Sequence, residues 1–326
     1  MNNIQTYYQF FSDYLSQNPF KKEPNNLYEP VDYILSIGGK RLRPVFVLIG
    51  CGLYKEDVRE ALKASMAIEV FHNFTLLHDD IMDDADMRRG KPTVHKLYNT
   101  NTAILSGDVM MIKAYQYLLD YADKTLAQNL LMVFNKTALE VCEGQQLDID
   151  FESKPDVSMA EYMQMITLKT SVLMGAAVQM GAMIGGAPAD DLNHLYEFAK
   201  NFGIAFQLQD DFLDSFGDTN VLGKKVGGDI LRNKKTYLYL KALELGDKKQ
   251  QELLIGLYNN TLKLKAGLKI DVVLSIFSDV NVVEYSRQVI EAYRDLALSH
   301  LMECHISDQK KSELKNLIDE LIFRNS

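Results

Sequence analysis

The chain has 326 residues, 47% of them hydrophobic, which is enough to bury a large core. Its formal net charge of −9 repels polyanions, so we expect no binding to nucleic acid. The N-terminus lacks the basic flank and apolar run of a secretory signal, and the three cysteines lack metal-ligand spacing. The composition therefore predicts a cytoplasmic protein with reduced thiols.

Helix-forming patterns extend over the whole chain. The last proline is Pro188, apolar residues recur at three- and four-residue spacing, and alternation with period two is scarce. Glycine-containing turn signals separate the helical segments, but no repeat or low-complexity linker marks a domain boundary. We therefore expect an all-α protein in which residues 1–326 form a single domain.

One long stretch, residues 171–189, carries no charge. It is rich in Gly, Ala and Met rather than Leu, Ile and Phe, which makes it too weakly apolar for a membrane span. We therefore expect a buried helix that packs closely through its small residues, and no stable insertion into a membrane.

The first group of chemical interest is basic and follows two glycines. Gly38 and Gly39 precede Lys40, Arg41 and Arg43. In a glycine-started turn, backbone and guanidinium groups can both approach a phosphate. Taken alone, such a group is more often a solvated basic patch.

The next group is acidic and ends an apolar run. Asp79, Asp80 and Asp83 form a DDxxD motif, and Arg88 and Arg89 follow it. On a helix, the first and last carboxylates of the motif are four residues apart, about 6 Å along the axis, and project from the same face. Like charges clustered at the end of an apolar helix are destabilising unless a metal ion or a basic group neutralises them.

A helix that carries two further polar residues is predicted downstream. Ser158 and Glu161 form a capping-box pattern just after Pro155. A long helix should therefore begin there and carry Lys169 and Thr170 in its interior.

The second acidic group repeats the layout of the first. Asp210, Asp211 and Asp214 again read DDxxD after an apolar run, and basic pairs follow at 224–225 and 234–235. A single DDxxD also occurs on solvated helix faces, but coincidence explains two copies poorly when cations follow each. Hard carboxylate oxygens without clustered His or Cys suit magnesium bridged to a phosphate, and the basic groups would balance the charge of a diphosphate.

Taken in order, these segments resemble the motifs of the trans-isoprenyl diphosphate synthases, the polyprenyl synthetase family. The matching segments are 39–44, 76–83 with 88–90, 169–170 and 206–214. The resemblance implies the isoprenoid synthase fold, a bundle of long helices around a central active-site cavity, usually in a homodimer. It also implies a magnesium-dependent prenyltransferase that joins an allylic diphosphate to isopentenyl diphosphate.

The resemblance also implies a role for each matching residue. Magnesium would be bound by Asp79, Asp83 and Asp210, with Asp80, Asp211 and Asp214 as direct or water-mediated partners. The allylic diphosphate would be held by Arg88, Lys169, Lys224 and Lys234. Isopentenyl diphosphate would be held by Lys40, Arg43, His72 and Arg89, and the carbocation would face Thr170 and Gln207. No side chain is expected as general base, because in the family the released diphosphate is thought to take the proton.

Product length should depend on bulky residues of the helix that carries the first acidic group. Phe74 lies five residues before Asp79, about 7.5 Å deeper along the helix, and Phe71 lies about 12 Å deeper. In similar enzymes an aromatic residue at the position of Phe74 accompanies short products. We therefore expect geranylgeranyl or farnesyl diphosphate, with the longer product favoured because Thr75 leaves the neighbouring position unblocked. The alternative is that Phe71 and Phe74 are ordinary core residues.

Two other functions agree with part of the pattern. A class I terpene cyclase ionises the same allylic diphosphates with a similar aspartate cluster, but it needs no second diphosphate site. A non-catalytic partner subunit of a prenyl synthase would not need both aspartate clusters intact. The basic group after Gly39, His72, Arg89 and the second complete DDxxD favour the synthase over the cyclase. The two intact clusters argue against a non-catalytic partner.

Overall fold

The structure is a computed structural model that describes residues 4–217 and 226–323. Helices make up most of it, as predicted, and they run in chain order as α1 (Ile4–Gln17), α2 (Asn25–Ser36), α3 (Leu42–Gly52), α4 (Leu62–Met82), α5 (Val94–Leu97), α6 (Thr100–Leu119), α7 (Lys124–Ser153), α8 (Met159–Ile166), α9 (Val172–Gly185), α10 (Ala189–Phe216), α11 (Gly228–Leu231), α12 (Tyr237–Leu245), α13 (Lys248–Tyr258), α14 (Ala266–Asp279), α15 (Val282–Glu303) and α16 (Asp308–Ile322). A short 3-10 turn, Arg59–Ala61, precedes α4. The hairpin of β1 (Met87–Arg88) and β2 (Lys91–Pro92) is the one sheet within these two ranges.

The described residues group into two compact units. Unit 1 comprises residues up to 136 together with 176–195, and unit 2 comprises 137–175 together with the residues from 196 onward. The boundaries between the units fall inside α7, α9 and α10. The single domain over residues 1–326 stays a prediction.

The core of unit 1 is built around α4, which packs against α3 and α6. Residues 64–71 of α4 are all buried, and Phe71 has no exposed surface. The second half of α9 approaches α3 backbone to backbone. A Cβ atom on Gly181 would lie 1.9 Å from the carbonyl oxygen of Val47, and one on Gly50 would lie 2.2 Å from that of Val178. Close packing through small residues, predicted for 171–189, is thereby confirmed, because only glycine fits at these two positions.

The core of unit 2 includes the second half of α10 and the C-terminal helices. Within it, α12 packs against α13, α14 and α15. The rings of Tyr239 and Tyr258 stack with centroids 4.0 Å apart, and the ammonium of Lys269 lies 5.3 Å from the Tyr258 ring. The stack and the cation above it join α12, α13 and α14 around one aromatic cluster.

The predicted helix start at Ser158 is confirmed. The hydroxyl of Ser158 accepts a hydrogen bond from the backbone N–H of Glu161, and the Glu161 carboxylate accepts one from the backbone N–H of Ser158. The regular helix ends sooner than expected, because Thr167–Ser171 form a π-helical turn before α9 begins. Gly144 of α7 lies against this turn, and a Cβ atom there would be 2.3 Å from the backbone nitrogen of Lys169. Lys169 and Thr170 therefore sit in a π turn rather than in a regular helix.

Over the described part of the chain, no helix combines the length and apolar character that crossing a bilayer requires.

Candidate active site

The first acidic cluster lies at the C-terminal end of α4. Asp83 caps the helix, and its backbone N–H donates to the carbonyl of Asp79 over 2.9 Å, so the two residues keep helical register. Asp79 is half-buried and Asp83 is exposed, whereas Asp80 is only 3% exposed. The outer carboxylates of this motif therefore reach the surface, and the middle one does not.

Arg88 neutralises the buried Asp80. Its Nε and Nη2 atoms donate to the two carboxylate oxygens of Asp80, each over 2.8 Å. The hairpin positions Arg88 through a two-residue turn at Arg89 and Gly90, where φ is positive at both residues, as a type I′ turn requires. A bidentate pair of this kind is strong and directional. The resemblance assigned Arg88 to the allylic diphosphate, and in the structure its guanidinium is paired with Asp80.

The glycine-started basic loop is anchored by residues that the sequence analysis did not assign. Arg41 is buried with a positive φ of 49°, and its guanidinium donates to the Glu69 carboxylate and to the carbonyl of Leu35. Asn73 donates to the same Glu69 oxygen over 2.7 Å. Glu69 is an acid inside the apolar run of α4, which was the one sequence signal for this anchor. The pairing with Glu69 holds the backbone of Arg41 in a left-handed conformation, which is unfavourable for a residue with a Cβ atom.

Three residues predicted to hold isopentenyl diphosphate come together beside this anchor. Arg43 Nη1 donates to His72 Nε2 over 3.1 Å, and Arg89 donates to the carbonyl of Gly38. Gly39 makes room for Arg89, because a Cβ atom there would lie 2.5 Å from the guanidinium. Lys40, the fourth predicted residue, is exposed in the same loop.

The electrostatics of this cationic group keep His72 neutral. Burial, and then the positive charges of Arg43 and Arg89, hold the pKa of His72 well below its ordinary value. Since Nε2 accepts from Arg43, the ring proton lies on Nδ1 and can be donated. The group therefore offers two guanidinium ions and a neutral N–H donor to an anion.

Aromatic rings line up on α4 below the first acidic cluster. The Phe74 ring lies 4.7 Å from the His78 ring and 5.7 Å from the Phe71 ring. Behind Phe71, the ring of Phe134 lies 5.1 Å away, a contact that the sequence did not predict. Thr75 turns its hydroxyl to the carbonyl of His72, over 2.8 Å. Phe74 is thus half-buried at the front of a series of rings, and Phe71 is wholly buried behind it.

The second acidic cluster lies near the C-terminal end of α10, in unit 2. Asp210 and Asp214 are half-buried, and Asp211 is only 7% exposed. The carboxylate of Asp214 accepts a hydrogen bond from the backbone N–H of Asp229, at the start of α11, over 2.8 Å. This bond joins the motif to the segment that leads to Lys234.

Asp211 is held by neutral donors. The hydroxyl of Tyr162 donates to one oxygen over 2.5 Å, and the amide of Gln207 donates to the other over 2.8 Å. Gln207 also accepts from the hydroxyl of Thr170 over 3.1 Å. Burial, and then the charge of Asp229, raise the pKa of Asp211 to about 7, while its hydrogen bonds and Lys234 oppose the rise. Tyr162 and Asp229 were not predicted, because neither belongs to a motif.

The predicted lysines of unit 2 have different surroundings. Lys169 pairs with Asp148 of α7 over 2.5 Å, and both side chains keep about a quarter of their surface exposed. Lys234 is exposed, whereas its neighbour Lys235 donates to two backbone carbonyls at the end of α7 and is structural. Lys224 lies outside the described residues.

The sequence and the fold are similar to those of known proteins. The sequence matches the polyprenyl synthetase family model over residues 24–271. It is 42% identical to a geranylgeranyl diphosphate synthase of Methanosarcina mazei, over 69% of this chain and 70% of that protein. It is 40% identical to a geranylfarnesyl diphosphate synthase of Natronomonas pharaonis, over 71% of this chain and 72% of that protein. A crystal structure of a geranylgeranyl pyrophosphate synthase superimposes with a TM-score of 0.94 at 45% identity and covers 100% of both chains.

These similarities confirm both the family and the all-α isoprenoid synthase fold that the motifs predicted. The chain belongs to the polyprenyl synthetase family.

Proposed function

We propose that the chain is a magnesium-dependent prenyltransferase that condenses an allylic diphosphate head-to-tail with isopentenyl diphosphate. The observation that carries the proposal is that α4 bears an acidic cluster and, separately, part of a cationic group. His72, with Arg43 beside it, lies seven residues before Asp79, about 10 Å along the helix. A reaction between two diphosphate substrates needs two anion sites. One would bind its diphosphate through metal ions, and the other would bind it directly through cationic side chains. A cyclase that ionises one diphosphate has no use for the second.

Magnesium fits the donors that the outer aspartates offer. Their carboxylate oxygens are the hard ligands that magnesium prefers, and magnesium usually keeps positions for water and substrate phosphate. Within the described ranges, no group of three or more His, Cys, Asp and Glu side chains is assembled for a metal ion. We assign Asp79, Asp83 and Asp210 as ligands and Asp214 as a further partner. When bound, magnesium would stabilise the negative charge that develops on the departing diphosphate.

The buried middle aspartates have a supporting role in this proposal. Asp80 fixes Arg88, whose remaining N–H groups can hold the allylic diphosphate, and Asp211 fixes Gln207. Lys169 and Lys234 would hold the same diphosphate, the first while sharing its charge with Asp148. For Lys224 the assignment depends on the motif resemblance.

The cationic group would hold isopentenyl diphosphate. Arg43 and Arg89 would supply charge, the Nδ1–H of the neutral His72 would supply a hydrogen bond, and the exposed Lys40 of the same loop would add a further charge. Holding this substrate beside the ionising one replaces a bimolecular encounter, which is a large contribution to the rate. The released diphosphate would take the proton that ends the reaction, so no side chain is assigned as a base.

We propose geranylgeranyl diphosphate as the main product, with Phe74 as the residue that stops the growing chain. The half-buried Phe74 stands in front of Phe71 and Phe134. Phe74→Ala should lengthen the product, because it opens space above the next ring. Phe71→Ala is the matched control and should leave the length unchanged, because Phe74 stays in front of it. Chromatography of the dephosphorylated products measures both, and an unchanged length in Phe74→Ala would remove Phe74 as the stop.

We also propose that the chain forms a homodimer through unit 1. Large apolar side chains of α6 and the first half of α7 are 40–66% exposed in one copy, and they are Ile104, Leu105, Ile112, Leu119 and Met132. Such a concentration of exposed apolar surface is typical of an interface. Light scattering after size exclusion should give twice the mass of 37.1 kDa. A charged substitution, Ile112→Glu, should shift the dimer towards monomer.

The proposed activity is tested with the purified chain, radiolabelled isopentenyl diphosphate and allylic primers of increasing length. We expect the label in longer allylic diphosphates when magnesium is present, and none in EDTA. Consumption of the primer without incorporation of label would indicate a cyclase. A chain that consumes neither substrate would be a non-catalytic partner.

A further inference from the structure

Four side chains of unit 2 form one chain of hydrogen bonds. The hydroxyl of Thr170 donates to Gln207 Oε1 over 3.1 Å, and Gln207 Nε2 donates to Asp211 Oδ1 over 2.8 Å. The other oxygen of Asp211 accepts from the hydroxyl of Tyr162 over 2.5 Å. Tyr162 comes from α8, Thr170 from the π turn, and Gln207 and Asp211 from α10. No DDxxD or basic motif contains Tyr162.

The direction of this chain is fixed at its buried end. Tyr162 is only 1% exposed, and its hydroxyl donates a hydrogen bond to Asp211 Oδ2. Gln207 Nε2 is the donor to Asp211 Oδ1, so the NH2 group of Gln207 is turned towards Asp211. The amide oxygen then points to Thr170 and accepts a hydrogen bond from its hydroxyl. The lone pairs of Thr170 Oγ1 remain on the side away from Gln207.

We propose that Tyr162 is a positioning residue that, through Asp211, presents oxygen atoms rather than N–H groups to the carbocation of the prenyl transfer. The inference depends on the proposed function, in which Thr170 and Gln207 face that cation. Oxygen dipoles oriented before the reaction stabilise a developing positive charge, whereas an amide NH2 in the same place would oppose it. Without the tyrosine hydroxyl, Asp211 loses the donor that holds it. Gln207 then loses the partner that prevents its amide from rotating.

The first test is Tyr162→Phe, which keeps the buried ring and removes the hydroxyl alone. We expect the single-turnover rate of prenyl transfer to fall about tenfold, the effect of losing one oriented interaction, with KM for both substrates unchanged. Tyr121→Phe is the matched control in unit 1, because Tyr121 is also buried and its hydroxyl donates to the carbonyl of Glu60 over 2.7 Å. It should lower the melting temperature similarly and keep the wild-type rate. An unchanged rate in Tyr162→Phe would overturn the proposal.

A double-mutant cycle shows whether Tyr162 acts through the amide. Gln207→Met removes the amide at similar volume, and the Tyr162→Phe/Gln207→Met variant should be no slower than Gln207→Met alone. If the two slowdowns multiply instead, Tyr162 does not act through Gln207 and the proposal fails. Binding of inorganic pyrophosphate with magnesium, measured by calorimetry, should be unchanged in Tyr162→Phe. A loss of about tenfold or more there would place the effect on the metal and contradict the proposal.

These outcomes are separable from a failure of the proposed function. A wild-type chain that incorporates no isopentenyl diphosphate would contradict the function itself. An active wild-type chain with multiplicative slowdowns would contradict only the role of Tyr162.

Discussion

The two DDxxD motifs have the same spacing but different surroundings. At the end of α4, the buried middle carboxylate, Asp80, is paired with the guanidinium of Arg88. Near the end of α10, the equivalent Asp211 is held by a tyrosine hydroxyl and an amide, both of them neutral. The buried carboxylate of the first motif is therefore paired with a cation. The buried carboxylate of the second motif is instead stabilised by hydrogen bonds from neutral donors.

This difference shows that a sequence motif defines which carboxylates are present but not which groups compensate their charge. In unit 1, Arg43 and Arg89 near a neutral His72 would also supply charge for the proposed second anion. In unit 2, a pKa of about 7 for Asp211 indicates a carboxylate with little compensating charge. We expect the first motif to be sensitive to the loss of its cation, and the second to be sensitive to the loss of its hydrogen bonds.

The largest effect on activity should come from the outer aspartates, and it should be equally large in the two motifs. Asp79→Ala and Asp210→Ala should each lower turnover by about a hundredfold or more, because each removes a ligand of the ions that stabilise the departing diphosphate. Asp86→Ala is the control, since Asp86 is an exposed carboxylate outside the motif and pairs with Lys96. Steady-state rates with saturating substrates measure the effect. Wild-type-like turnover in either motif variant would contradict the metal assignment.

The next effect is on the free energy of unfolding, which should fall by different amounts when the partner of each middle aspartate is removed. Arg88→Met should lower the free energy of unfolding by about 2 kcal/mol, less than for a wholly buried pair because Arg88 is 24% exposed. Tyr162→Phe should lower it by about 1 kcal/mol, the usual contribution of one hydrogen bond. Denaturant unfolding measures both.

A second substitution identifies the cause of the larger loss. Arg88→Met combined with Asp80→Asn should recover part of the stability, because no buried charge is then left without a cation. Equal losses in Arg88→Met and Tyr162→Phe would remove the distinction between the two motifs.

The smallest effect concerns the pH dependence of stability near the first motif. The pKa of His72 in the folded protein lies well below the ordinary 6.5, so the unfolded chain takes up a proton that the folded chain does not. The stability that depends on neutral His72 is therefore present above that pH and lost as the pH falls, by up to about 1.4 kcal/mol per pH unit.

His72→Gln should reduce this slope between pH 7 and 5. Denaturant unfolding at several pH values gives the slopes. A slope that is identical in wild type and His72→Gln would show that His72 is not held neutral.

Local patterns predicted the fold well, and they also indicated the polar groups proposed for the site. Helical periodicity, the capping box at Ser158 and the small residues around Gly181 depend on neighbours a few positions apart, which the sequence displays directly. The two aspartate motifs and the basic loop were recognised for the same reason. The π turn at 167–171 was not predicted, because it depends on the packing of Gly144 against its backbone.

The partners of the motif residues could not be predicted. Tyr162 lies 49 positions from Asp211, and Asp148 lies 21 positions from Lys169. Neither partner belongs to a pattern, since a lone tyrosine or aspartate in a helix looks like any other. Glu69 gave a weak signal as an acid in an apolar run, but its pairing with Arg41 depends on the conformation of the loop. What each aspartate does is therefore decided by tertiary contacts.

The central claim is that both aspartate motifs hold a diphosphate through magnesium, and calorimetric binding of inorganic pyrophosphate tests it most directly. We expect wild-type chain to bind pyrophosphate much more tightly with magnesium than with EDTA, and we expect that gain to be lost in Asp79→Ala and in Asp210→Ala alike. Undiminished magnesium-dependent binding in either variant would contradict the account.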